Sequence, residues 1–144
     1  MLPLILAASL SLTCVAPHVH DGDTLTCAGR QIRLWGMDAP ELKGSPRCRQ
    51  TATWACDGSA MQWGLSARDR LVALTRGEVR CEQVDVDRYR RVVARCESDG
   101  LDLGRQLVAD GLARDYTRYS HGRYLTDEAR ARRGRLGIWT PRGR

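Results

Sequence analysis

Two alternating runs in the middle of the chain, 79–86 and 91–97, restrict its fold more than any other feature. Apolar and polar residues take turns in both, the period of a half-buried strand, and the short stretch around Arg88 and Tyr89 joins them as an antiparallel hairpin. With the turn centred between the runs, Cys81 and Cys96 face each other across the ladder. Cys14 and Cys27 flank the turn at Asp21-Gly22 in a similar way, and Cys48 and Cys56 close a short loop. Spacing alone does not choose among the pairings of six cysteines. There is, however, no CxxC and no paired Cys/His spacing of the zinc type, so three local disulfides and an oxidising compartment fit better than a metal.

The rest of the chain supplies further strands and then helices. Leu10 to Val19 reads as a strand, with Pro17 marking an edge or bulge because proline cannot donate to a ladder. Thr24 to Cys27 and Gln31 to Gly36 follow, separated by Ala28-Gly29-Arg30. Residues 40–57, rich in Gly, Pro and charge, are expected to be loop. Ala60, Trp63, Ala67, Leu71 and Leu74 recur at helical steps, with Asp57 or Ser59 as cap and Gly77 as stop. Beyond the hairpin, a short helix spans Leu103 to Asp110 with Asp102 as cap, and a last one runs from Tyr124 to Leu136. Five strands with a helix between the third and fourth predict an α+β fold: an OB-fold-like, five-stranded Greek-key barrel with three helices.

The apolar run Met1 to Leu12 is too short to span a bilayer. It reads as an export-signal core with cleavage after Ala8, or else as a buried first strand. The first reading leaves 1–8 as a signal remnant and 9–144 as one domain, secreted or periplasmic. A net charge of +6 points to polyanionic partners, nucleic acid or an anionic surface, although an arginine bias with Lys43 as the single lysine also follows from GC-rich codon usage.

The chemistry concentrates between residues 21 and 41. Asp21-Gly22-Asp23 is a tight turn, where glycine is expected for its tolerance of positive φ. It lacks the spacing of an EF-hand. Arg33 to Glu41 then brings a cation and two carboxylates off the end of one strand, with Pro40 stiffening the segment. Asp23 and Asp38, at the ends of adjacent strands, are candidate ligands for a hard divalent cation, and Glu41 is a candidate holder of water.

Val19-His-Asp-Gly-Asp-Thr-Leu25 and Ile32-Arg-Leu-Trp-Gly-Met-Asp-Ala-Pro-Glu41 resemble the staphylococcal nuclease (thermonuclease) family. So do Asp87-Arg-Tyr-Arg-Arg91, Leu107 to Ala113 and Arg135 to Trp139, and the extra cysteines look like those of exported bacterial members. The resemblance implies one Ca²⁺ on Asp23, Asp38 and the carbonyl of Ala39, Glu41 as the group that activates water, and Arg33 and Arg91 on the phosphate. It places Arg88 and Tyr89 at a terminal phosphate, and Tyr116 or Tyr119 in the nucleotide pocket. The implied activity is Ca²⁺-dependent hydrolysis of DNA and RNA at the 5′ P–O bond, leaving 3′-phosphates, by a monomer with no membrane partner. His18, His20 and His121 have no part in it, and the arginines at 130, 132, 133, 135, 142 and 144 are expected to solvate a helix and tail. Two alternatives stand beside it: an inactive OB-type module that binds nucleic acid, or one that binds acidic polysaccharide. One position departs from the family pattern, since Arg90 stands where glycine usually precedes the second phosphate-binding arginine. A positive φ there would cost about 1–2 kcal/mol and put the aim of Arg91 in question.

Overall fold

A computed structural model describes residues 1, 3 and 10–141; most of the expected signal core, residues 2 and 4–9, and the tail arginines Arg142 and Arg144 lie outside the described residues. The hairpin forms as expected from β6 (Glu78–Val86) and β7 (Val92–Ser98), with Cys81 opposite Cys96 in register. Ahead of it come β1 (Ser11–Val15), β2 (His18–Asp21), β3 (Thr24–Cys27) and β4 (Arg30–Leu34). The main sheet runs β1-β6-β7-β4-β3-β2, with β4 parallel to β7 and the other pairs antiparallel. A short β8 (Leu101–Asp102) adds to β7, and β5 (Met37–Asp38) pairs apart with β9 (Arg114–Asp115). The disulfide Cys14–Cys27 joins β1 to β3, strands that do not neighbour each other in that order, with Cα atoms 5.5 Å apart. The sheet must therefore curl on itself, which is the OB-like barrel.

The expected first strand is two. Ala16, at φ 45°, and Pro17 break it, so β1 pairs with β6 while β2 pairs with β3. One proline thus hands the chain from one barrel wall to the other. The helix expected from Ala60 to Leu74 is also divided, into α2 (Gly58–Met61) and α3 (Gly64–Leu74), while a four-residue α1 (Arg47–Gln50) forms inside the expected loop. Asp57 caps α2, and α3 ends at Thr75, whose hydroxyl donates to the Leu71 carbonyl, rather than at Gly77. Ala67 and Leu71 turn into the core beside Leu25, Ile32, Val79 and Val92, the apolar set that takes the place of the missing Phe.

After the hairpin, Asp102 caps α4 (Leu103–Ala109), accepting from the Arg105 N–H. A single turn, α5 (Thr117–Ser120), precedes α6 (Leu125–Arg133), which carries Asp127 and Glu128 in its first turn and arginines in its last, the order the helix dipole favours. No described helix is long and apolar enough to cross a membrane.

Candidate functional site

The turn between β2 and β3 sits against Ala39, just past the end of β5, and that meeting creates the site. Gly22 lies in it for a reason other than the one expected. Its φ is not positive, and a Cβ there would come within 2.7 Å of the Ala67 Cβ and 2.8 Å of the Ala39 Cβ. The missing side chain is what lets the Asp21–Asp23 turn lie between α3 and Ala39. The Leu34 N–H donates to the Asp23 carbonyl at 2.8 Å, and the Ala39 N–H to Asp23 Oδ2 at 3.1 Å, locking the two segments together.

Arg33 is the centre of the arrangement and only 7% exposed. Its Nη1 donates to the carbonyls of Leu34 (3.0 Å) and Met37 (2.9 Å) and lies 3.4 Å from Asp23 Oδ2; its Nη2 reaches Asp38 Oδ1 at 3.3 Å. One guanidinium therefore spans both carboxylates that were expected as ligands. Arg91 approaches from the hairpin. Its Nε pairs with Asp87 Oδ2 at 2.7 Å, and its Nη1 donates to Thr24 Oγ1 at 3.2 Å, whose own hydroxyl donates to Asp23 Oδ1 at 3.1 Å. Arg90 does adopt φ 64°, so the strain expected at this departure is present. Arg91 nevertheless keeps its aim, because Asp87 also accepts from the N–H groups of Tyr89 and Arg91 and holds the turn.

Glu41 is buried, with Oε2 accepting from Ser45 Oγ and Oε1 from Arg47 Nη1, both at 3.0 Å. Arg47 and Trp54, whose Nε1 donates to Asp38 Oδ2 at 3.0 Å, were not visible as site residues in the sequence. Both belong to the stretch expected to be plain loop, and the one hint was Cys48 and Cys56, which do bond, as do Cys81 and Cys96. Behind Trp54, a column of alternating indoles and guanidiniums crosses to the end of the chain. Arg114 lies 4.3 Å from the Trp54 ring and 5.0 Å from that of Trp139, and Arg132 lies 4.7 Å from the Trp139 ring.

The carboxylates of the site act on one another at close range. Burial, then the neighbouring Asp23 and its hydrogen bond, push the Asp21 carboxyl up to about 8. Burial, then Asp23, push Asp38 to about 6. Burial also works against the Asp23 carboxylate, but Arg33, the contact with Asp21 and the Ala39 N–H outweigh it and hold this carboxyl below its ordinary value. Asp21, Asp23, Asp38 and Glu41 face Arg33 and Arg47, so four carboxylates against two guanidiniums leave two formal negative charges (4 − 2 = 2) when all are ionised. One divalent cation would close that deficit, and oxygen donors are the kind a hard cation takes. Among the described residues no group of three His, Cys, Asp or Glu side chains is arranged to hold a metal. A cation here would therefore draw on two carboxylates and complete its shell with carbonyl and water oxygens.

An open cleft of about 700 Å³ lies in front. Arg33, Arg47, Arg88, Tyr89 and Arg91 line one side, and Tyr116, Arg118 and Tyr119 the other. The Tyr116 and Tyr119 rings meet edge to face, 4.8 Å between centroids, and the Arg88 guanidinium lies 5.0 Å from the Tyr89 ring. Of the residues expected at the substrate, Arg33, Arg88, Tyr89, Arg91, Tyr116 and Tyr119 line this cleft, whereas Asp23, Asp38, Ala39 and Glu41 are buried and are not among its lining residues. His121 also lines it, whereas His18 and His20 pack against each other away from it, His20 bonding Thr26. A second hollow, of about 350 Å³, mixes three arginines with three carboxylates and shares no residue with the cleft.

Five guanidiniums and three phenols on an open cleft, backed by a nest of carboxylates at one end of an OB-type barrel, make a strongly cationic surface in front of an acidic one. The chain belongs to the staphylococcal nuclease homologue family, whose pattern matches residues 31–141. It is 34% identical over 122 residues to the succinoglycan biosynthesis protein ExoI of Rhizobium meliloti (strain 1021), covering 84% of this chain and 61% of that one. It is 28% identical over 134 residues to an uncharacterized endonuclease of Haemophilus influenzae, covering 88% of this chain and 66% of that one. A micrococcal nuclease of Shigella flexneri is 32% identical over 140 residues, with 85% and 71% covered. The chain spans about three fifths to seven tenths of the length of these curated relatives.

Proposed function

We propose that this chain is a Ca²⁺-dependent nuclease that hydrolyses phosphodiester bonds of DNA and RNA at the 5′ P–O bond, leaving 3′-phosphates. The observation that carries the proposal is Arg33, buried between Asp23 and Asp38 yet open to the cleft. One guanidinium thereby couples a cation-seeking carboxylate pair to the place where a phosphate would lie.

In this reading Arg33 and Arg91 hold the non-bridging oxygens of the scissile phosphate, where negative charge grows as a fifth bond forms. Their planar donor sets suit two oxygens at once better than a lysine would. Preorganised donors of this kind contribute about 3–4 kcal/mol each when removed singly. Glu41 takes the proton of the attacking water, and its burial against Ser45 and Arg47 fixes the accepting oxygens before substrate arrives. Asp23 and Asp38, with the Ala39 carbonyl, hold the single Ca²⁺, which when bound supplies Lewis-acid stabilisation of the phosphate. Arg88 and Tyr89 bind a terminal phosphate, and Tyr116 and Tyr119 give the base a face to stack on. None of these groups is dedicated to a 2′-hydroxyl, which is why both DNA and RNA are expected.

Three disulfides suit an oxidising compartment. We place the protein outside the cytosol, secreted or periplasmic, as a monomeric domain over 9–144 released by cleavage after Ala8.

A second reading has one observation in its favour: the R. meliloti relative is named for polysaccharide biosynthesis and not as a nuclease. An OB-type module that binds nucleic acid or acidic polysaccharide without cutting would use the same guanidiniums. Incubating the purified chain with DNA and with RNA, in Ca²⁺ and in chelator, separates the two. Glu41→Gln and Arg91→Ala should each lower cleavage by at least ~100-fold. Cleavage that persists in chelator, or survives both substitutions, overturns the nuclease mechanism; binding without cleavage supports the second reading.

A further inference from the structure

Glu41 is gripped from two ends by one disulfide-closed loop. Its carboxylate accepts from Arg47 Nη1 at 3.0 Å, and its backbone N–H donates to the Ala55 carbonyl at 2.9 Å. Cys48 follows Arg47 and Cys56 follows Ala55, and these two cysteines are bonded, with Cα atoms 5.5 Å apart. The crosslink therefore joins the immediate neighbours of the two residues that hold Glu41, one by its side chain and one by its main chain. The helix carrying Arg47, α1, is four residues long and buries none of them. A single turn of that length has no stability of its own, so something else must keep Arg47 in place. Arg47 is half-buried, lines the cleft beside Arg33, and feels the charges of Asp38 and Asp23 as well as Glu41.

We infer that Arg47 is a positioning residue for Glu41, and that the Cys48–Cys56 disulfide acts on catalysis by keeping Arg47 there. The inference rests on the reading of Glu41 as the proton acceptor. Displacing a reacting group by about 1 Å costs on the order of 100-fold in rate, with little effect on substrate affinity. The contact made by Arg47 is a single N–H to oxygen bond, so one ammonium donor is able to replace it.

The test compares kcat and KM on a defined oligonucleotide in saturating Ca²⁺, with circular dichroism confirming that each variant is folded. Arg47→Ala should lower kcat by about 10- to 100-fold with KM within about 3-fold of the parent. Arg47→Lys should recover most of that loss, and Arg49→Ala, on the exposed side of the same turn, should match the parent. Cys48→Ser with Cys56→Ser should lower kcat by about the same factor as Arg47→Ala, and adding Arg47→Ala to that pair should deepen the loss by less than about 3-fold, because effects routed through one contact do not multiply. An unchanged kcat in Arg47→Ala, or a loss confined to KM, overturns the positioning role. Losses that multiply overturn the link to the disulfide. An inactive parent chain overturns the nuclease reading itself and this inference with it, an outcome distinct from an active parent with an equally active Arg47→Ala.

Discussion

Arg90→Gly should make the protein more stable without making it a better catalyst. Arg90 sits at φ 64° at the tip of the β6–β7 hairpin, its N–H donating to the Asp87 carbonyl at 3.0 Å. An L-residue held in the left-handed region costs about 1–2 kcal/mol. Glycine removes that cost but brings extra freedom to the unfolded chain, which returns about 0.5–1 kcal/mol. Taken at mid-range the net gain is about 0.75 kcal/mol, equivalent to about 2–3 °C in Tm for a domain of this size. Arg91 is fixed by Asp87 and Thr24, not by Arg90, so kcat/KM on DNA should stay within about 2-fold. Thermal unfolding followed by far-UV circular dichroism on the oxidised protein measures the first number, and a cleavage assay the second. A Tm that is unchanged or lower would refute the strain. A large drop in activity at unchanged Tm would mean that the Arg90 side chain itself reaches the substrate.

Three further outcomes can be measured directly. Asp21 and Asp38 bind protons more tightly in the folded chain (about 8 and about 6, against 3.8), so the stability tied to them is full below pH 3.8 and lost as pH rises towards 8. In chelator, Tm should therefore fall across that window, while Asp23, held low, acts only below it; millimolar Ca²⁺ should flatten the fall, and a Tm that climbs through the window in chelator contradicts the charge deficit. Gly22→Ala should cost about 1–3 kcal/mol in a denaturant titration, because the added methyl meets Ala67 and Ala39; wild-type stability would show that the turn is not wedged there. Removing the crosslink between β1 and β3 by Cys14→Ser with Cys27→Ser should lower stability by about 2–4 kcal/mol, read as a shift in the denaturation midpoint, and an unchanged midpoint would argue against the bond.

The barrel was legible in the sequence because strand periodicity and cysteine placement carry the same information twice. Cys81 and Cys96 mark the register of a hairpin whose alternation already gives its direction. Site residues on strands or their ends, such as Asp23, Arg33 and Asp38, were legible for the same reason: the ladder fixes where each side chain leaves. Arg47 and Trp54 were not, since their positions depend on how an irregular loop folds back over Glu41, and no period encodes that. Gly22 was found for the wrong cause; a glycine letter does not distinguish a backbone that needs positive φ from a surface that has no room for Cβ. Pro17 was correctly placed as an irregularity, but its effect, handing the chain to a different sheet partner, depends on barrel closure and is a tertiary fact.

The column Trp54–Arg114–Trp139–Arg132 gives the site an order in time. Trp54 carries the hydrogen bond to Asp38, while the ring that closes the column is that of Trp139, far along the chain. A chain emerges from the ribosome amino end first, so Asp23, Arg33, Asp38 and Glu41 are all synthesised long before the piece that braces them. A chain grown past Arg91 carries Asp23, Arg33, Asp38, Glu41 and Arg91 but not the brace, and the wall of the site is completed only once Trp139 has been made.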